Sequence, residues 1–306
     1  MLNINKILFP TDFSKCSDQA FVHALFLARQ HNAELHMLHA IALHEDDPYN
    51  PAHHFPDKEE IHNRLKGIAD SQMDALLEKY DLKDVKIKKL QKRGISPAPV
   101  ILDYAREEDI DLIVMGTHGR RGISHILLGS VAEEVVRVAK CPVLTIREQK
   151  EPKSIEAFEK ILVPVDFSEH SKSAVAHAKA ITATYKARLY LLHVIEESIH
   201  PAFYVTGKSS VFELIPDIES KSKEFMAKLV KETKGPAVET EYFVLEGRAA
   251  QEIVKFSDKN DIDLIVIATH GLTGIEHFLL GSITEKVIRM ANCPVFTVKS
   301  FGKALI

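Results

Sequence analysis

The chain has 306 residues, 45% of them hydrophobic, which is enough for two ordinary cores, and a net charge of −4 from 39 basic and 43 acidic side chains. That balance excludes the basic field that binding along a nucleic-acid backbone requires. No apolar run approaches the roughly 20 residues of a membrane span, and MLNINKILFPTDF carries no long apolar stretch of the signal-peptide kind. Neither nucleic acid nor membrane is therefore an expected partner, and a cytoplasmic location is expected. Cys16, Cys141 and Cys293 show no C-x-x-C spacing and are expected to be small packing residues.

In chain order, KILFP is a short β-branched and aromatic run ending at Pro10, which suits a buried strand; the following DFSKCSDQAFVHALFLARQH shifts to helical spacing through Ala20, Ala24 and Leu27. ELHMLHAI reads as a second strand, RLKGIADSQMDALLEKY as a helix and VKIKKLQK as a third strand. A helix should open at Ser96-Pro97, with Ser capping the free amides and Pro in the first helical position. DLIVMG is continuously apolar, as a strand buried on both faces would be. SVAEEVVRVAK and PVLTI complete a βαβαβαβαβ order, which predicts a parallel sheet with helices on both faces.

The same order then repeats. Residues 109–146 and 261–298 are identical at 24 of 38 aligned positions, KILFPTDFS returns as KILVPVDFS, and ELHMLHAI as RLYLLHVI. The offsets, 154, 154 and 152 residues, are nearly constant, so whole domains were copied rather than the 20–50-residue units of solenoids. The expected organisation is a first domain over 1–147, a charged linker over 148–158 that contains Pro152, and a second domain over 159–306.

After the fourth strand of copy one comes Gly116-Thr-His-Gly119, then nine residues, then Gly129-Ser130 at the start of a helix. Glycines let backbone amides approach an anion closely, and a helix N-terminus adds unpaired N–H groups and a favourable dipole end. Ser130 with Glu133, and Ser282 with Glu285, have capping-box spacing, so each serine is both a candidate cap and a candidate phosphate ligand. If the strand order is 3-2-1-4-5, the carboxylate of Asp12 and the glycines of this loop face one crevice between strands one and four, the usual ligand position in such sheets. A nucleotide fits: base toward the carboxylate, phosphates toward the glycines. Neither G-x-x-x-x-G-K-[ST] nor G-x-G-x-x-G is present.

PTDFS, LHAI and GTHGRRGISHILLGS, followed by PVDFS, LHVI and ATHGLTGIEHFLLGS, resemble the universal stress protein family in its tandem, ATP-binding form, over essentially the whole chain. The resemblance implies two flavodoxin-like α/β units, open parallel five-stranded sheets of order 3-2-1-4-5, as a pseudo-twofold tandem repeat. It implies ATP, with or without Mg2+, between strands one and four. Carried over, it places Asp12 and the main chain of Ala40 at the adenine and ribose and Gly116, His118, Gly119, Gly129 and Ser130 at the phosphates, with Pro10, Thr11 and Val131 also among the nucleotide-binding residues. In copy two the matching positions are Pro164, Val165, Asp166 and Val194, then Ala268, His270, Gly271, Gly281, Ser282 and Ile283. Relatives with one domain tend to pair, so the two copies are expected to form that pair internally through PVLTI and PVFTV; a further homodimer is left open.

Copy two departs from the pattern at Ala268, which should cost approach distance if a phosphate touches that backbone. Copy one also carries Arg120 and Arg121 where copy two has Leu272 and Thr273, so the first site is expected to be the tighter. The segment 44–62, with His44, Asp46, Asp47, His53, His54, Asp57 and His62, matches no standard metal spacing, and no metal site is assigned. Phosphoryl transfer would want a positioned base and carboxylates for Mg2+, and Glu276 is the sole acidic residue of either loop. Binding without efficient chemistry is favoured, with a slow ATPase or nucleotidyl-transfer enzyme, or a scaffold with vestigial sites, as alternatives.

Overall fold

A computed structural model describes residues 2–42, 58–82, 84–119, 128–151, 157–196, 210–269, 280–299 and 302–306. The elements of the first copy are β1 (Lys6–Pro10), α1 (Lys15–His31), β2 (Glu34–Ala42), α2 (Lys58–Leu77), β3 (Ile87–Gly94), α3 (Pro97–Glu107), β4 (Leu112–Gly116), α4 (Ser130–Val138) and β5 (Val143–Ile146). The second copy gives β6 (Lys160–Pro164), α5 (Glu169–Tyr185), β7 (Arg188–Ile195), α6 (Val211–Leu214), α7 (Ile218–Glu232), β8 (Thr240–Glu246), α8 (Ala249–Lys259), β9 (Leu264–Ala268), α9 (Ser282–Met290) and β10 (Val295–Val298).

Each copy has the parallel order 3-2-1-4-5, and the two sheets are one: the strands run β3-β2-β1-β4-β5-β10-β9-β6-β7-β8. The join is antiparallel, with Val143 opposite Thr297, Leu144 opposite Phe296 and Thr145 opposite Val295. An exposed apolar edge invites pairing, and each copy supplies the strand that covers the other's edge. The period of two along each strand divides the core into two layers. Ile7, Phe9, Leu112 and Val114 pack with α1 and α2 side chains such as Phe21 and Met73, while Leu8, Ile113 and Met115 pack with α3 and α4 side chains such as Ile101 and Val135.

The join is reinforced by exchanged side chains. Thr145 Oγ1 donates to Val295 O (3.2 Å) and Thr297 Oγ1 to Val143 O (3.0 Å). Just beyond the paired strands, Lys299 Nζ donates to Arg137 O (2.7 Å) and Ala139 O (2.6 Å) at the C-terminal end of α4. Its counterpart Arg147 donates to Met290 O (3.0 Å) at the end of α9. Each copy thus caps a helix of the other, where the last carbonyls lack partners and the dipole favours a cation. Burial pulls the Lys299 ammonium down to about 8, with Cys141 opposing. Replacing Lys299 with Met keeps most of the apolar stem but strands two carbonyls, so Lys299→Met should cost about 1–3 kcal/mol in urea denaturation. An unmoved unfolding midpoint would remove this cap from the forces joining the copies.

Several sequence expectations need adjusting. α2 begins at Lys58, six residues before the expected start at Arg64. Ser96 is the N-cap of α3 and Pro97 its first residue, yet the Ser96 side chain makes no capping bond. Cys16 and Cys141 are buried as expected, whereas Cys293 is partly exposed. Pro152, Arg120, Arg121, Leu272, Thr273, Glu276 and residues 44–57 of the His/Asp-rich segment lie outside the described residues.

Candidate nucleotide crevice

The crevice arises because β1 and β4 part company. They pair at Ile7–Leu112 and Leu8–Ile113. Beyond that, Thr11 N donates to Leu38 O on β2 (2.9 Å), and Thr117 N donates to Ile146 O next to the opposite neighbour (2.9 Å). Each chain follows its outer partner, and a mouth opens between them at the carboxyl ends of the strands, where open parallel sheets take ligands. Copy two repeats the geometry: Val165 N donates to Leu192 O and Thr269 N to Val298 O, both at 2.9 Å.

Asp12 and the glycine loop meet across this mouth. A Cβ added to Gly119 would lie 2.5 Å from Asp12 Oδ2, so a carboxylate from the end of β1 faces exposed backbone from the loop after β4. Gly129 N donates to Thr117 O (2.8 Å), and a Cβ on Gly129 would sit 2.9 Å from that oxygen. The loop is therefore clamped at its two ends by a backbone approach that glycine permits. In copy two Gly281 N donates to Thr269 O in the same way (2.9 Å). Thr117 and Thr269 are both buried, and Thr117 Oγ1 lies 2.8 Å from His118 Nδ1. Pro10 is buried at the base of the crevice beside Leu38, and Pro164 pairs likewise with Leu192. Ala40 extends β2 past this level opposite Lys92, as Val194 extends β7 opposite Leu245. Val131 and Ile283 pack against the α3/α4-side core. His270 and Gly271 fall outside the described residues.

The structure bears on three expectations at the site. Ser130 and Ser282 are the first residues of α4 and α9 rather than their caps; Gly129 (φ −65°, ψ 139°) and Gly281 (φ −60°, ψ 135°) hold the cap positions, with no side-chain capping bond at either. The capping boxes are not formed, because a cap needs non-helical backbone and these serines already belong to the helix. Both serines are exposed, each directly after a glycine in the cap position. Gly116 also has a packing role: its missing Cβ would lie 2.8 Å from Cys16 Sγ and 3.2 Å from the Cys16 carbonyl carbon, toward α1. Ala268, at the matching place in copy two, is buried in β9, and its carbonyl accepts from Thr284 Oγ1 (2.8 Å).

Two supports had not been singled out from the sequence. Phe13 and Phe167, each next to its aspartate, hold left-handed φ values of 61° and 62°. The His39 ring lies 4.7 Å from that of Phe13, with Nδ1 2.8 Å from Thr11 O; His193 stands 4.5 Å from Phe167, with Nδ1 2.9 Å from Val165 O. The repeated LH dipeptide was the available signal. Cys16, under the loop, donates to Ile146 O (3.2 Å); burial pushes its thiol up against the opposing pull of the His118 and Thr117 amides, so it stays protonated.

The sequence profile of the universal stress protein family matches residues 3–147 and again 157–299. The chain belongs to the universal stress protein family. Universal stress protein MJ0531 of Methanocaldococcus jannaschii is 37% identical over 143 residues, 46% of this chain and 82% of that protein. Universal stress protein MJ0577 of the same organism is 33% identical over 154 residues, 46% of this chain and 95% of that protein. Both relatives thus match about one copy. The solved universal stress protein from Archaeoglobus fulgidus shares the fold at tandem length, covering 96% of this chain and 98% of its own at a TM-score of 0.62 and 22% identity. Among the described residues no helix is long and apolar enough to cross a membrane.

Proposed function

We propose that this universal stress protein is an ATP-binding regulatory protein of the stress response, holding one nucleotide between β1 and β4 and a second between β6 and β9, the first more tightly. The observation that carries the reading is the meeting of Asp12 with the exposed backbone of Gly119 beside the glycine-capped N-terminus of α4. Such a helix end offers several N–H donors to an anion. Adenosine would lie toward Asp12 and Ala40, and phosphates toward Gly119, Gly129 and Ser130. Among the described residues no group of three metal-ligating side chains occurs, so Mg2+ would arrive with the phosphates.

Nucleotide released by heat from the purified chain and counted by anion exchange with mass detection tests this. About two ATP per chain supports both crevices, and about one supports the ranking between them. Release of ADP would favour a slow ATPase instead. No nucleotide, together with no thermal shift on adding ATP, would leave the scaffold reading.

A further inference from the structure

The residue just before each crevice aspartate differs between the copies, and a buried hydroxyl responds to it. In copy one Thr11 Oγ1 accepts from Phe13 N (3.0 Å) and from Ser17 Oγ (2.8 Å). Thr11 and Ser17 are 6% and 3% exposed, so this contact is shielded from water. Copy two has Val165 in place of Thr11 and Ser171 in place of Ser17, both also buried. With no hydroxyl on residue 165 to receive it, Ser171 Oγ donates to Asp166 Oδ1 instead (2.6 Å), and accepts from Asp166 N (3.2 Å). Asp166 Oδ1 also accepts from Ser168 Oγ (2.6 Å) and from Ser168 N (3.1 Å), the latter matched in copy one by Ser14 N donating to Asp12 Oδ1 (3.1 Å).

Building on the nucleotide reading, we infer that Thr11 and Val165 are positioning residues that decide whether a buried serine hydroxyl donates to the crevice aspartate, and so how strongly that carboxylate receives the nucleoside part of its ligand. Thr11 diverts the Ser17 hydroxyl from Asp12. Val165 sends the equivalent hydroxyl onto Asp166, adding to the Ser168 bonds on the same oxygen a further donor at the short distance of a charge-assisted bond. Those bonds fix the carboxylate's orientation and draw off its negative charge, so a ribose hydroxyl or base amino group meets a weaker acceptor there. The difference acts at the nucleoside end, separately from anything the glycine loops do to phosphates.

The test uses the full chain with one crevice closed at a time. Ser130→Asp leaves the second crevice to be titrated with ATP by calorimetry, and Ser282→Asp leaves the first. With the first closed, Val165→Thr and, separately, Ser171→Ala should each tighten ATP about five- to tenfold. With the second closed, Thr11→Val should weaken ATP by a similar factor, and adding Ser17→Ala should restore it to within about twofold. Inorganic tripolyphosphate, which has no nucleoside, should bind all these variants alike. A general packing defect would not be rescued by removing a second hydroxyl, nor would it spare tripolyphosphate. If ATP binds but Val165→Thr and Ser171→Ala leave its affinity within twofold, the positioning role is overturned while the nucleotide reading stands. If the unaltered chain binds no ATP at either crevice, the nucleotide reading falls and this inference with it.

Discussion

Deleting residues 302–306 should lower the free energy of unfolding by about 3–6 kcal/mol, although these residues lie far along the chain from what they stabilise. Leu305 is 1% exposed and belongs to the core layer that also contains Ile4, Phe158 and Phe296. Its carbonyl accepts from Asn3 N (2.9 Å), and its N–H lies 3.3 Å from His177 Nε2. Lys303 Nζ lies 2.8 Å from Asp109 Oδ2 and 2.7 Å from Asp111 Oδ1, and Asp111 Oδ2 in turn accepts from Asn5 N and Lys6 N at the start of β1. The tail therefore returns from the second copy to pin the first strand of the first. Gly302 permits the return, with φ +89° and a Cβ position 2.3 Å from Lys140 O, where a side chain is both strained and excluded. Leu305→Ala alone removes a buried leucine and should account for about 2–5 kcal/mol of the total. Urea denaturation of both variants reads this directly, and a combined loss under about 1 kcal/mol would show that the tail merely rests on the surface.

What could be read from the residues, and what could not, follows from the range of the forces involved. The continuous apolar run DLIVMG and the 24 shared positions of the repeat sufficed for a duplicated parallel sheet, because burial on both faces and duplication each leave a pattern in sequence. Pro97 at the first turn of α3 was readable for the same local reason. The packing role of Gly116 was not: it depends on what the absent Cβ would meet, here Cys16, one hundred residues earlier. Ser-x-x-Glu likewise gives the spacing of a capping box but not the residue at which the backbone turns helical, and both helices start one residue sooner than that pattern needs. The exchanged caps of Lys299 and Arg147 left no trace, since their acceptors are main-chain carbonyls.

That early start makes Ser130 the position where effects on fold and binding should have opposite signs. A carboxylate in the first turn of α4 faces unpaired N–H groups and the positive end of the helix dipole, which usually stabilises by about 0.3–1 kcal/mol. Ser130 is exposed and makes no capping bond, so Ser130→Asp displaces nothing and should leave thermal stability unchanged or slightly raised. The same carboxylate would compete with a phosphate for those donors and repel it. One unit charge at ~5 Å with an effective dielectric of about 20 contributes about 3 kcal/mol, enough to weaken ATP at the first crevice by about a hundredfold. Ser282→Asp, at the first position of α9, should act the same way on the second crevice alone, so that each variant titrates with one fewer ATP per chain. If both variants keep full stoichiometry and affinity while melting normally, the helix ends are not where phosphates sit, and the crevice would have to be rebuilt around Asp12 and Asp166 without them.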